Sequence, residues 1–271
     1  MNIEARLDEV RTEYLRRATG ADGDLLRQVQ HYTAARCGKM LRPRMLLTAA
    51  ATLGDQHFAS RRTLLCAVAV EMLHNASLLH DDVVDNDNTR RGQPSVNARY
   101  SNAIAVLAGD YLLAQLMSLL DEINDPHTSR FVNNTVKAMV QAELLQQESH
   151  GVTKPQSHED LTTSRPHDLT TYLKIIDGKT ARLFATAAAL GNPQYEDFGL
   201  HYGRLFQLRD DIADGEASPH TATLIEQEET ILNNLPLRLN LQATRLPGSA
   251  GDTACDASKA CAKGLEQTRN L

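Results

Sequence analysis

Two short acidic clusters are the residues of this sequence best placed to do chemistry. Asp81-Asp82-Val83-Val84-Asp85 closes one apolar stretch and Asp210-Asp211-Ile212-Ala213-Asp214 closes another. On a helix, positions i and i+4 project from one face, so Asp81 and Asp85 point the same way. Gln207, Asp210, Asp211 and Asp214 follow an i, i+3, i+4, i+7 pattern and share a stripe. Carboxylates this close in greasy sequence repel one another and resist burial. Mg²⁺ resolves that conflict, because it takes oxygen ligands and is held by one or two carboxylates together with substrate phosphates and water. Two such helices facing one another would hold a small set of Mg²⁺ ions between them. For either cluster alone, a solvated acidic helix end is the plain alternative.

Basic residues gather where an anionic substrate would need them. Arg90 and Arg91 follow the first cluster in a turn closed by Gly92. In Gly38-Lys39-Met40-Leu41-Arg42-Pro43, Lys39 and Arg42 stand three apart and share a face. Gly178-Lys179-Thr180 supplies a third group, and His74 stands two turns before Asp81 on the same face. Arg suits forked contacts with phosphate oxygens, whereas Lys acts as a point charge. Each group alone reads as a surface charge pair; together with the aspartates they point to phosphate.

These residues need helices to carry them. Gly and Pro are sparse through the first two-thirds of the chain, and Ala and Leu dominate. Helical periodicity predicts helices at 2–18, 23–36, 40–53, 60–86, 102–122, 128–149, 167–190, 195–214 and 222–233. The stretch from Arg61 to Asp85 is apolar nearly all round and belongs at the centre of a bundle. Hydrophobic residues make up 42% of the chain and aromatics only 4%, with no Trp, so the core is aliphatic. Breaks fall at 88–94, 124–126, 151–166 and 191–193, the third being a long polar loop. The expectation is an all-α fold, a single-domain helical bundle over residues 1–246. A weakly ordered tail follows at 247–271, where large apolar residues are missing.

A net charge of −6 argues against nucleic acid as a partner. Cys37, Cys66, Cys255 and Cys261 show no metal-ligand spacing, and Cys37 and Cys66 read as buried free thiols. No basic start with an apolar run behind it marks a signal peptide, and no membrane-length uninterrupted apolar run occurs. A reducing, cytoplasmic setting is expected, with no membrane span and peripheral membrane contact left open for product release.

The ordered blocks GKMLRP, HNASLLHDDVVDNDNTRRG, LAGDYLLA, AELLQQ, GKTARLF and FQLRDDIAD run from Gly38 to Asp214. In them the sequence resembles the trans-isoprenyl diphosphate synthases, or polyprenyl synthetases. The resemblance implies a helical bundle around a deep cavity, usually a homodimer, with about two or three Mg²⁺ ions. It implies that Asp81, Asp85, Asp210 and Asp214 bind the metal. Lys39, Arg42, His74 and Arg91 would hold isopentenyl diphosphate, while Arg90, Lys179, Thr180 and Gln207 would contact the allylic diphosphate. The catalytic set would be Asp81, Asp85, Arg90, Lys179 and Asp210. The implied reaction is head-to-tail condensation to a long chain by ionisation, condensation and elimination.

The growing tail should run into the bundle along the helix that carries Asp81. There Ala76 and Ser77 are small where short-chain members place an aromatic ring, which implies a long product; Phe131 is a candidate deeper floor. One departure is plain. Members normally carry a Gly-Lys pair after the second cluster, whereas no lysine occurs between Lys179 and Lys259. The alternatives are an inactive partner subunit of a heteromeric synthase and a class I terpene cyclase. Inactive subunits tend to erode an aspartate cluster, and cyclases usually pair one cluster with an Asn/Ser/Glu-type motif.

Overall fold

The structure, a computed structural model, describes residues 1–20, 23–34, 38–149, 169–215, 220–235 and 239. The first half of the described chain forms α1 (Ile3–Ala18), α2 (Asp24–Ala34), α3 (Leu41–Ala51), α4 (Asp55–Phe58), α5 (Arg61–Val84) and α6 (Val96–Arg99). The second half forms α7 (Asn102–Ile123), α8 (Pro126–Ser149), α9 (Leu169–Ile176), α10 (Arg182–Gly191), α11 (Glu196–Asp214) and α12 (Thr221–Asn234). The only strands among the described residues are β1 (Thr89–Arg90) and β2 (Gln93–Pro94), paired antiparallel. The all-α expectation holds.

The organising element is α5. Ser60 caps its start by accepting a hydrogen bond from the Thr63 amide, and Asp85 caps its end. It packs against α1, α3, α7 and α10, and nearly every face of it is covered. Both α5 and α7 are long and apolar enough, by length and composition, to cross a membrane. The apolar window of α5 is 72% buried within the bundle, which identifies its greasiness as that of a core helix.

The predicted helix at 167–190 is interrupted. Between α9 and α10 the backbone widens into a π-helical turn, Asp177–Ala181, of the kind that re-aims side chains at functional sites. Two contacts hold this turn in place. A Cβ added at Gly178 would stand 2.6 Å from the Ala142 Cβ, so glycine is what lets the turn lie against α8. On its other side, Arg204 of α11 makes a forked ion pair with Asp177, with nitrogen–oxygen distances of 2.5 and 2.7 Å. The short helices α4 and α6, too brief for a periodic signal, were not anticipated.

Cys66 is a free, buried thiol as expected, and burial pushes it up to about 11. Cys37, Cys255, Cys261, the long polar loop and the tail lie outside the described residues.

Candidate active site

The first aspartate cluster ends α5, and the second ends α11. Burial pushes the Asp81 carboxyl up to about 6; Lys179 pulls it down, while Glu143 and Asp85 add repulsion. Asp85 is raised too, by burial first and then by repulsion from Glu143 and Asp87, with Lys179 and Arg90 opposing the rise. Asp210 is raised by burial and by repulsion from Asp214 and Asp211, and Arg42 works against the rise. Asp214 is exposed at the end of its helix, where Gly215 turns the chain away with φ 79°.

One π-turn bridges these clusters. Lys179 Nζ lies 2.6 Å from Glu143 Oε2 and 3.9 Å from Asp85 Oδ2, and it donates to Gln146 Oε1 at 3.1 Å. Burial opposes the lysine's charge, but Glu143, Asp81 and Asp85 outweigh it and the pKa is raised. The next residue, Thr180, donates from its hydroxyl to Gln207 Oε1 at 2.7 Å. Adjacent residues therefore reach the two aspartate helices.

The basic groups converge from the other side. Arg42 Nη1 stands 3.1 Å from His74 Nε2, and its guanidinium lies over the Phe184 ring, 4.6 Å from the centroid. Burial lowers Arg42 to about 10, with Glu71 and Asp210 opposing the fall and Arg91 adding to it. His74 is held well below its usual value, first by burial and then by Arg42, Arg91 and Arg90. Because a guanidinium carries only donors, His74 Nε2 is the acceptor and its proton is on Nδ1.

Arg91 occupies a left-handed backbone conformation, φ 53°, followed by Gly92 at 74°. This is the two-residue turn of a tight hairpin. A Cβ at Gly38 would stand 2.5 Å from Arg91 Nη2, so the absence of a side chain lets the guanidinium lie on the 38–39 backbone. Lys39 is exposed just beyond, before Met40, itself left-handed with φ 47°.

Arg90 is held at the first cluster. Its Nε donates to Asp82 Oδ1, its Nη2 lies 3.8 Å from Asp87 Oδ2, and its charge also pulls down the carboxyls of Asp81 and Asp85. A small cavity beside Arg90 and Asp82 is lined by Asn75, Leu78 and Arg91 among others.

The two proposed product-length positions separate. Ala76 is 1% exposed and packed in the core, whereas Ser77 is partly open and lies one turn before Asp81 on its face. Phe131 is partly buried against the same core. Sequence reasoning gave no role to Glu143, Gln146, Tyr172 or Glu71. Glu143, Gln146 and Gln147 stand at i, i+3 and i+4 within AELLQQ, a spacing that could have flagged them.

Among the described residues no group of three or more His, Cys, Asp or Glu side chains forms a ready-made metal cage. The donor set fits Mg²⁺ in the manner of paired carboxylates completed by phosphate oxygens and water: burial first, and neighbouring carboxylates after it, raise Asp81 and Asp210, and a divalent cation would offset that cost.

Comparison with known proteins identifies a family. A family described as polyprenyl synthetase matches residues 23–224. The chain is 36% identical over 199 residues to an all-trans-nonaprenyl-diphosphate synthase (geranyl-diphosphate specific) of Rhodobacter capsulatus, covering 70% of this chain and 57% of the relative. It is 32% identical over 208 residues to an octaprenyl diphosphate synthase of Haemophilus influenzae, covering 73% and 59%. The chain thus spans less than two thirds of the length of these relatives. Among solved structures, it resembles a polyprenyl synthase from Caulobacter crescentus complexed with calcium and isoprenyl diphosphate. There the TM-score is 0.68 at 27% identity, over 98% of this chain and 86% of that one.

Proposed function

This chain belongs to the polyprenyl synthetase family, and we propose that it is a trans-polyprenyl diphosphate synthase. It would condense isopentenyl diphosphate head to tail with an allylic diphosphate to give a long-chain product. The observation that carries the proposal is the Lys179-Thr180 turn, whose two side chains reach Asp85 and Gln207 on the two aspartate-bearing helices. Relatives named for nonaprenyl and octaprenyl products support the long-chain reading.

In this reading Asp81, Asp85, Asp210 and Asp214 would hold Mg²⁺ at the allylic diphosphate. When bound, Mg²⁺ would offset the negative charge that gathers on the departing diphosphate. Lys179 adds a positive charge on the Asp85 side, and Arg90, Thr180 and Gln207 contact the same diphosphate. Lys39, Arg42 and Arg91 hold isopentenyl diphosphate, with His74 donating from Nδ1 as a neutral ring. That grip leaves the double bond of isopentenyl diphosphate facing the carbon from which the allylic diphosphate departs. Attack and loss of a proton leave a chain one isoprene unit longer.

The same reading takes the chain as one helical domain in a cytoplasmic setting, paired with a second copy. Support for pairing comes from Leu107 and Met117 of α7 and Val140 and Leu144 of α8, all exposed apolar side chains. Light scattering of the parent and of Leu107→Glu tests it. A monomeric parent contradicts it.

The activity itself is tested by incubating the purified chain alone with labelled isopentenyl diphosphate, farnesyl diphosphate and Mg²⁺. Elongated diphosphates support the reading. A cyclic hydrocarbon would indicate a terpene cyclase, and absence of product an inactive partner subunit.

A further inference from the structure

We propose that the middle aspartate of each cluster, Asp82 and Asp211, is a positioning residue and not a metal ligand, each orienting a side chain that grips the allylic diphosphate. The inference rests on the functional reading above and deepens it.

The helix geometry separates these residues from their neighbours. One step along an α-helix turns about 100°, so a residue next to Asp81 or Asp210 cannot share its direction. The Asp82 side chain is 4% exposed and the whole Asp211 residue 8%, while the Asp85 side chain is 33% exposed. A carboxylate buried to that degree needs hydrogen-bond donors of its own. Each has them. Asp82 Oδ1 accepts from Arg90 Nε. The carbonyl of Asp82 also accepts from Asn97 Nδ2 at 3.0 Å, and the same amide nitrogen donates to the Asp87 carbonyl at 3.0 Å. Asp82 and Asn97 together tie the loop that carries Arg90 and Arg91 to the end of α5.

At the second cluster the arrangement repeats with other residues. Asp211 Oδ1 accepts from Gln207 Nε2 at 2.7 Å, and Asp211 Oδ2 accepts from the Tyr172 hydroxyl. Gln207 in turn accepts from Thr180, so the bonds run from Thr180 through Gln207 to Asp211, met by Tyr172 from α9. Each Asp211 oxygen is engaged by a donor of the chain, and the Gln207 amide is held in one orientation. Arg90 and Gln207 are the side chains assigned to the allylic diphosphate. Each is thus fixed by the buried aspartate of the cluster beside it.

The test compares Asp82→Asn and Asp211→Asn with Asp81→Asn and Asp210→Asn. For the two middle variants the Michaelis constant of the allylic substrate should rise about tenfold, while the Mg²⁺ concentration for half-maximal rate stays within about twofold of the parent. For the other two variants that Mg²⁺ concentration should rise steeply. Asp82→Asn should add little on an Arg90→Ala background, because it acts through Arg90. Tyr172→Phe, which keeps the packing, should raise the allylic constant about threefold and serves if Asp211→Asn does not fold.

A thermal shift with Mg²⁺ and inorganic diphosphate makes the same comparison without turnover, so loss of the proposed activity and loss of this inference are told apart. A Mg²⁺ requirement raised as far in Asp82→Asn or Asp211→Asn as in Asp81→Asn overturns the proposal. So does full additivity with Arg90→Ala.

Discussion

The Thr180 hydroxyl donates a 2.7 Å hydrogen bond to the side-chain oxygen of Gln207, which joins the turn facing the first aspartate cluster to the helix that carries the second. Thr180→Val keeps the shape and removes the bond. Turnover should fall about tenfold with little change in thermal stability, since a polar contact oriented toward the reacting centre is lost. Steady-state rates and a melting curve check this, and an unchanged rate contradicts it.

The two diphosphate pockets should separate kinetically. Lys179→Ala should raise the Michaelis constant for the allylic substrate more than that for isopentenyl diphosphate. Lys39→Ala and Arg42→Ala should do the reverse. Differences of about tenfold, roughly 1.4 kcal/mol each, are expected. Equal effects on both substrates would mean that the pockets are crossed or merged.

His74 makes stability depend on pH. It is buried against Arg42, Arg91 and Arg90, which hold it neutral in the folded state. Below its unfolded value of 6.5 the unfolded chain binds a proton that the folded chain does not. Stability contributed by this group is therefore present above that pH and lost as pH falls through it, with a limiting slope of about 1.4 kcal/mol per pH unit. Denaturant unfolding of the parent and of His74→Gln between pH 7 and 5 should show a flatter profile in the variant. Parallel profiles would remove His74 as the cause.

Much of this was legible in the sequence because apolar periodicity and paired carboxylates are local signals. The span of α5 and its central burial follow from residues that are greasy on every face, and Asp81 and Asp85 fall on one face by spacing alone. The π-turn was not legible. Asp177–Ala181 reads as ordinary helix, and what widens it is the tertiary grip of Arg204 and of α8 against Gly178. The Glu143–Lys179 pair is equally long-range, joining α8 to that turn. The spacing of DDVVD likewise could not reveal that Arg90 turns back to Asp82. That contact depends on the hairpin made by Arg91 and Gly92 with positive φ.

Product length should be set at Ser77. Because Ser77 is partly open and precedes Asp81 by one turn, an aromatic ring there blocks the path of the tail, whereas one at Ala76 would first have to displace core. Ser77→Phe should shorten the main product to about four isoprene units or fewer, the added ring filling the space that longer chains need. Chromatography of the dephosphorylated products checks it. An unchanged long-chain distribution from an active Ser77→Phe enzyme shows that the tail runs elsewhere.

The central claim is that the ends of α5 and α11 form one metal-dependent site. It is tested most directly by the rate of the first condensation in the parent, Asp81→Ala and Asp210→Ala, each confirmed folded and assayed at saturating substrates and Mg²⁺. The account predicts elongated product from the parent and a loss of at least about a hundredfold, roughly 2.7 kcal/mol, in each variant. A folded parent that yields no product, or either variant within about threefold of the parent, would contradict it.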